Sequence, residues 1–147
     1  VICAAEDVGN ADPQALVVAN AALQVAEFVG LPEAKIPLAQ ATVYVATAPK
    51  SNAAYLGIEK ALKDVEEGRT LATPEHLKNA PIPRMRKLGR GVGYKYAHDY
   101  EGGFVPQEYM EEKKKYYEPK DIGFEAKIKA RMDELMKRVE RESRWTH

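Results

Sequence analysis

The sequence predicts an all-α fold, a helical bundle. Apolar residues recur at helical spacing or fill whole segments, the segments are bounded by proline, glycine or a capping acid, and no strand-like alternation of any length appears. With 147 residues and 45% hydrophobic content, the chain is long enough for one domain with a sizeable core.

The opening residues, VICAAED, read as the end of a helix already under way. With Val in place of Met at position 1, the chain reads as a piece of a longer protein. Asp12-Pro13 is a helix start, an acceptor followed by proline at the first helical position. That helix is expected from Pro13 to about Val29, stopped by Gly30 and Pro32. Beyond its first turn only Asn20, Gln24 and Glu27 are polar, a single narrow stripe. A second helix spans about Glu33 to Ala48, with Pro37 near its true start, the stripe Gln40, Tyr44, Thr47, and Pro49 at its end. A third follows Ser51 and runs to about Glu67, closed by Gly68. It is amphipathic, with Ala54, Ile58, Ala61, Leu62 and Val65 expected on the buried face. A short helix is expected over Pro74–Asn79, then breaks at Pro81 and Pro83. The last helix runs from about Ile122 to Arg144, with Phe124, Ile128, Met132, Leu135 and Val139 as its apolar stripe.

Between Gly89 and Tyr117 lies a stretch with no hydrophobic period but with five of the ten glycines and seven aromatics. Each ring needs a surface to cover, so the segment reads as an ordered loop pinned to the protein. Gly89, Gly91 and Gly93 do not form a phosphate-binding loop, because no strand precedes them and no GxxxxGK[S/T] occurs; tight turns with positive φ are expected instead.

The two nearly all-apolar helices carry more apolar surface than such a chain easily hides. Either they form the domain centre, or part of that surface meets another subunit, with Leu16, Val17, Leu23, Phe28, Val43, Tyr44 and Tyr55 as candidate contacts. Net charge is zero but unevenly spread: residues 1–72 hold five Lys/Arg against nine Asp/Glu, and residues 73–147 hold seventeen against thirteen. In the basic half Arg84, Arg86, Lys87, Arg90 and Lys95 are interleaved with Tyr94 and Tyr96, and no acid falls between His76 and Asp99. This resembles a surface for a nucleic-acid backbone with rings for base stacking; the alternative is a solvated loop with its tyrosines packed on the helices. Lys113, Lys114 and Lys115 read as a solvated face.

His76, His98 and His147 share no metal-ligand spacing, and no nucleophile, base and orienting group assemble from the sequence. His98-Asp99 reads as a turn, with the histidine on a backbone hydrogen bond. Cys3 reads as a small buried apolar residue; as the single cysteine it allows no intrachain disulfide, which fits a reducing compartment. No apolar run has the length of a membrane span.

Three motifs, AEDVGNADPQAL (Ala5–Leu16), PLAQATVYVATAPKSNAAY (Pro37–Tyr55) and LGRGVGYKYAHDYEGGFVPQEY (Leu88–Tyr109), resemble the C-terminal region of the RarA/MgsA family. These are replication-associated recombination AAA+ ATPases, to which the eukaryotic Werner-helicase-interacting ATPase is similar. The resemblance covers nearly the whole chain and extends through YYEP (Tyr116–Pro119). It departs at Met110-Glu111, where the family tends to show Leu-Pro. It implies residues 1–12 as the end of an AAA+ lid and residues 13–147 as an oligomerisation domain, distantly like a clamp-loader collar. It implies a homotetramer and a parent DNA-dependent ATPase using ATP and Mg at stalled forks and gapped DNA ends. Single-stranded-DNA-binding protein is the implied partner, and a cytoplasmic, nucleoid-associated setting follows. The nucleotide motifs are absent, so this chain is not expected to hydrolyse ATP by itself. The rival reading is a purely structural collar or protein-docking platform without DNA contact, in which Tyr94, Tyr96, Tyr100 and Phe104 would be core or interface residues.

Overall fold

The computed structural model describes residues 1–69, 71–110 and 112–144, the last three by backbone alone. Every regular element among them is helical. Glu111 and His147, both weighed above, lie outside the described residues. By contact the chain divides into two compact units: Val1–Lys63 with Tyr116–Arg131, and Asp64–Lys115 with Met132 onward.

In the first unit a π-helical turn (Ala4–Val8) and a 3-10 turn (Gly9–Ala11) lead into α1 (Gln14–Val29), α2 (Lys35–Thr47) and α3 (Ala53–Glu66). The start of α1 is set by Asp12, whose Oδ1 accepts the Gln14 amide at 3.0 Å while Oδ2 accepts the Tyr44 hydroxyl at 2.9 Å. Gly30 closes α1 with φ 72, donating to the Ala26 carbonyl at 3.0 Å. Pro37 is the third residue of α2, where its missing N–H costs no helical bond. At the other end of α2 the Lys50 ammonium donates to the carbonyls of Val45 (2.7 Å) and Ala48 (2.8 Å), a cation on the negative helix terminus.

The helices pack on small residues. Ala15 and Ala19 of α1 form the core with Ala4 and Val8, and Val45 and Ala48 pack against it; Ala22 and Ala41 are also buried. Alanine lets two helix backbones approach closely, but it turns the larger side chains away. Val17, Val43 and Phe28 are exposed, Phe28 at 91%. The usual surface helix does the reverse.

α3 follows the same rule and corrects the expectation for its face. Ala53 and Gly57 are buried, while Ile58, Leu62 and Val65 are exposed. The 116–117 segment seats against the helix's smallest face, where a Cβ on Gly57 would stand at contact distance, 3.4 Å, from the Tyr116 carbonyl oxygen. Hydropathy says which face gains from burial, not which face a backbone can approach.

Below this sits one fully buried carboxylate, Glu125, the first residue of α5 (Glu125–Arg144). It accepts from the Ser51 hydroxyl, the Tyr117 hydroxyl (2.6 Å) and the Lys120 amide (3.2 Å). Around it the Asn10 amide donates to the Tyr117 oxygen at 3.1 Å, Ser51 N–H to the Val8 carbonyl at 3.2 Å, and Phe124 N–H to the Ala11 carbonyl at 2.7 Å. Gly123 (φ 52) permits this closeness, since a Cβ there would fall 2.2 Å from the Ala11 oxygen. That need for glycine also starts α5 at Glu125 rather than Ile122. Burial pushes the Glu125 carboxyl up, but the hydrogen bonds from Ser51, Tyr117 and Lys120 outweigh it and leave the group below its ordinary value. Burial, then the bond to Glu125, raises the Tyr117 phenol.

The second unit holds a 3-10 turn (Glu75–Leu77), α4 (Pro83–Lys87) and 3-10 turns at Ala97–Asp99 and Glu101–Gly103. The helix expected over 74–79 is reduced to the first of these. α4 was missed because Pro83 reads as a breaker, whereas it occupies the first helical position after extended Ile82. Gly89, Gly91 and Gly93 take φ of 84, 68 and 82, the turns the sequence requires.

The pinning of the Gly/Tyr segment differs from expectation. Tyr94, Tyr96, Tyr100 and Tyr109 are all exposed, so these rings are neither packed on the helices nor in the core of this chain. Backbone anchors hold the segment instead. Gln107 donates to the Lys95 carbonyl (3.1 Å) and accepts its N–H (3.3 Å), and Gly91 N–H reaches the Glu75 carbonyl at 2.9 Å. Arg138 donates to the Glu101 carbonyl at 2.9 Å and lies 5.4 Å from the Phe104 ring centre, beside buried Val105.

Three smaller expectations change. Lys114 is not part of a solvated face; it is half-buried and paired with Asp64 at 2.8 Å. Cys3 is exposed because its neighbours Ala4 and Val8 take the inward face of the turn. On α5 the stripe Ile128, Met132, Leu135 and Val139 is half-buried as expected, but Phe124 is exposed.

Glu125→Ala is expected to lower the unfolding free energy by about 3 kcal/mol, read from urea melts, because three donors lose their acceptor. The folded Glu125 pKa is depressed, so its contribution is present above the unfolded value of about 4.3 and is lost as pH falls through the folded value. The stability gap between wild type and Glu125→Gln should therefore close on acidification. Gly123→Ala should cost about 2 kcal/mol or more in the same assay.

Candidate functional site

Two surfaces hold the sequence-predicted residues, one in each unit. In the first unit Leu16, Val17, Leu23, Phe28, Val43, Tyr44 and Tyr55 are all exposed. Leu16 and Val17 line a shallow depression of about 540 Å³ with Asn20, Ala21 and Gln24. Leu23 and Leu38 border an apolar groove of about 480 Å³ floored by Ala19, Ala22, Ala41 and Val45. Tyr44 is anchored by its hydrogen bond to Asp12; that bond first, then desolvation and the Asp12 charge, raises its phenol. Sequence reasoning left out Leu31, Ile36, Ile58, Leu62 and Val65, which are also exposed. Leu31 sits in the α1–α2 turn and Ile36 in the first turn of α2; Ile58, Leu62 and Val65 share the apolar face of α3.

Such a face can bury apolar area against a partner and can do little else. Each exposed aliphatic side chain transferred from water gains roughly 1.5–3 kcal/mol.

In the second unit α4 carries Arg84, Arg86 and Lys87 on five residues, all exposed. Arg90 follows in the turn and is half-buried. The hydrogen bond from Lys78, then the charges of Lys78 and Arg90, hold the Glu75 carboxyl below its ordinary value. Arg90 is the least exposed of the predicted cations. Lys95 is exposed with its backbone fixed by Gln107, and Tyr94 and Tyr96 are exposed. The Tyr96 ring stands 5.0 Å from the His98 ring at a 49° tilt. The sequence did not single out Gln107, which also donates to the Tyr109 hydroxyl at 3.0 Å. Arginine forks suit phosphate oxygens and exposed tyrosines suit base stacking. Exposed Asp99, Glu101 and Glu108 in the same segment limit the reach of a phosphate backbone along it.

Among the described residues no group of three or more His, Cys, Asp or Glu converges to hold a metal, and no helix is long and apolar enough to cross a membrane.

The family model described as MgsA AAA+ ATPase C terminal matches residues 1–136. The chain is 46% identical over 142 residues to replication-associated recombination protein A of Bacillus subtilis, covering 94% of this chain and 34% of that protein. It is 45% identical over 131 residues to the protein of the same description in Escherichia coli K12, covering 85% and 29%. A match to ATPase WRNIP1 of Dictyostelium discoideum is 39% identical over 98 residues, 67% of this chain and 11% of that protein. The chain thus spans about a third of the length of the bacterial relatives it matches. With the family match running through its first 136 residues on an all-helical fold, the chain belongs to the MgsA C-terminal family of replication-associated recombination AAA+ ATPases.

Proposed function

We propose that this chain is the oligomerisation module of a DNA-dependent AAA+ ATPase, assembling as a homotetramer through the apolar face of α1, α2 and α3. One observation supports this most: the helices pack inward on alanine and glycine and present their large apolar side chains to solvent. A soluble chain rarely leaves such a face uncovered. Residues 1–12 are assigned to the end of the AAA+ lid and residues 13–147 to the assembly domain. ATP and magnesium belong to the part of the relatives that this chain does not cover, as does hydrolysis. Linking four protomers would share binding energy at DNA ends without new contacts. The setting is cytoplasmic and nucleoid-associated, with single-stranded-DNA-binding protein as a partner.

We also assign the surface of Arg84, Arg86, Lys87, Lys95, Tyr94 and Tyr96, with a smaller part for Arg90, to contact with single-stranded DNA or fork ends. The rival reading, a collar or protein-docking platform, draws support from the acids among the exposed tyrosines.

Light scattering coupled to size exclusion should give a mass near four times 16.4 kDa that persists at high salt. Val17→Asp with Phe28→Asp should return it to a monomer; a wild-type monomer at micromolar concentration overturns the assembly reading. Arg86→Ala with Lys87→Ala should weaken DNA binding and reduce the slope of log affinity against log salt by about 1.4. Unchanged affinity would favour the docking platform.

A further inference from the structure

On α1 the exposed residues Val17, Ala21, Gln24 and Phe28 follow one another at spacings of four, three and four, so they share one face of the helix. Ala15, Ala19 and Ala22 pack inward on the opposite side. The outer face carries a knob and a depression. The knob is Phe28, 91% exposed near the C-terminal end of the helix. The depression, about 540 Å³, is lined by Leu16, Val17, Asn20, Ala21 and Gln24. Gln24 stands midway: Phe28 lies four residues after it, and Asn20, at the middle of the depression, four residues before it. Two α1 helices laid antiparallel with Gln24 on a two-fold axis therefore place each Phe28 over the partner's Asn20 and Ala21. A parallel pair would set ring against ring and leave both depressions open. Charge also suits a meeting of like with like. Glu27 is the one charged residue of α1, and it points about a quarter-turn off the stripe. The residue on the axis is a neutral amide, which both donates and accepts, so it can pair reciprocally with its own copy.

We propose that α1 pairs with α1 of a second copy about a two-fold axis at Gln24, each Phe28 seated in the depression of the other. The pairing rests on the assembly reading above and gives that face its partner and register. An isologous contact closes on itself at two copies, so a tetramer needs a second, different contact, for which Ile58, Leu62 and Val65 of α3 remain exposed.

The test is disulfide trapping in the 147-residue chain with Cys3→Ser as the background, since Cys3 is its single cysteine and is exposed. Packed helices lie about 8–10 Å apart with Cα atoms about 2.3 Å from each axis, so residues facing on the two-fold axis bring their Cα atoms within about 5 Å, inside disulfide reach. Gln24→Cys should give a covalent dimer on a non-reducing gel after mild oxidation. Val17→Cys, about 21 Å from its copy in this register, should not. Phe28→Cys mixed with Ala21→Cys should give the mixed dimer. A second measurement uses no cysteine: Gln24→Glu and Gln24→Lys should each lower the mass seen by light scattering, and an equimolar mixture should restore it. Val17→Cys dimers forming as readily as Gln24→Cys dimers overturn the antiparallel register. No Gln24→Cys dimer, together with an unchanged mass for both charged variants, overturns the pairing. If the wild-type chain then still scatters as an oligomer, the assembly reading stands without it; if it is a monomer, both fall.

Discussion

The first unit depends on one buried charge. Glu125 brings a carboxylate to zero exposure, which is costly unless every lone pair it turns inward meets a donor. Two hydroxyls and a backbone amide meet it; Ser51 also donates its N–H to Val8, the Tyr117 hydroxyl also accepts from the Asn10 side chain, and Phe124 beside Glu125 donates its N–H to Ala11. The carboxylate is therefore a geometric reference. Ser51 cannot move without breaking from Val8, nor Phe124 without breaking from Ala11. Helices that pack mainly on alanine have little side-chain interlock to set their register, and this polar node supplies it.

The alanine packing and the exposed apolar face are one choice seen from two sides. A helix has a fixed circumference, so giving its inward face to the smallest side chains places the large ones elsewhere. Within a single chain that wastes hydrophobic area. In an assembly it divides the work: small residues set helix spacing inside the protomer, and large residues are available between protomers. The second unit divides its work differently. Its tyrosines are exposed, and order comes from Gln107, Arg138 and glycine turns, so rings and cations sit on a backbone that is already fixed.

The helical class, the extents of α1 and α2 and the turns at Gly89, Gly91 and Gly93 were legible because proline, glycine and Asp12 act locally. The α3 face was not, because it depends on where residues 116–117 run, more than fifty positions away. Exposure of the tyrosines was not legible either: aromatic content indicates that rings seek cover, but not that Gln107 would anchor the loop without them. Arg84, Arg86 and Lys87 stand out as candidates by charge alone, whereas the half-burial of Arg90 depends on the turn that brings residues 75 and 91 together. The Glu125 node left no trace, since a glutamate at a helix start reads as an ordinary solvated residue favoured by the helix dipole.

The node also sets an order of events during synthesis. Its hydrogen bonds join residues separated by 74 positions, Ser51 to Glu125, and by 107 positions, Asn10 to Tyr117. The first unit is thus discontinuous, with residues 64–115 emerging between its two parts. A nascent chain that has released α1, α2 and α3 lacks the carboxylate that fixes their register until Glu125 has left the ribosome. During that interval, several seconds at roughly 5–20 residues per second, two apolar helices and one amphipathic helix are exposed without their polar anchor. Closing so long a loop is slow, and the exposed apolar face is then open to contact between nascent copies.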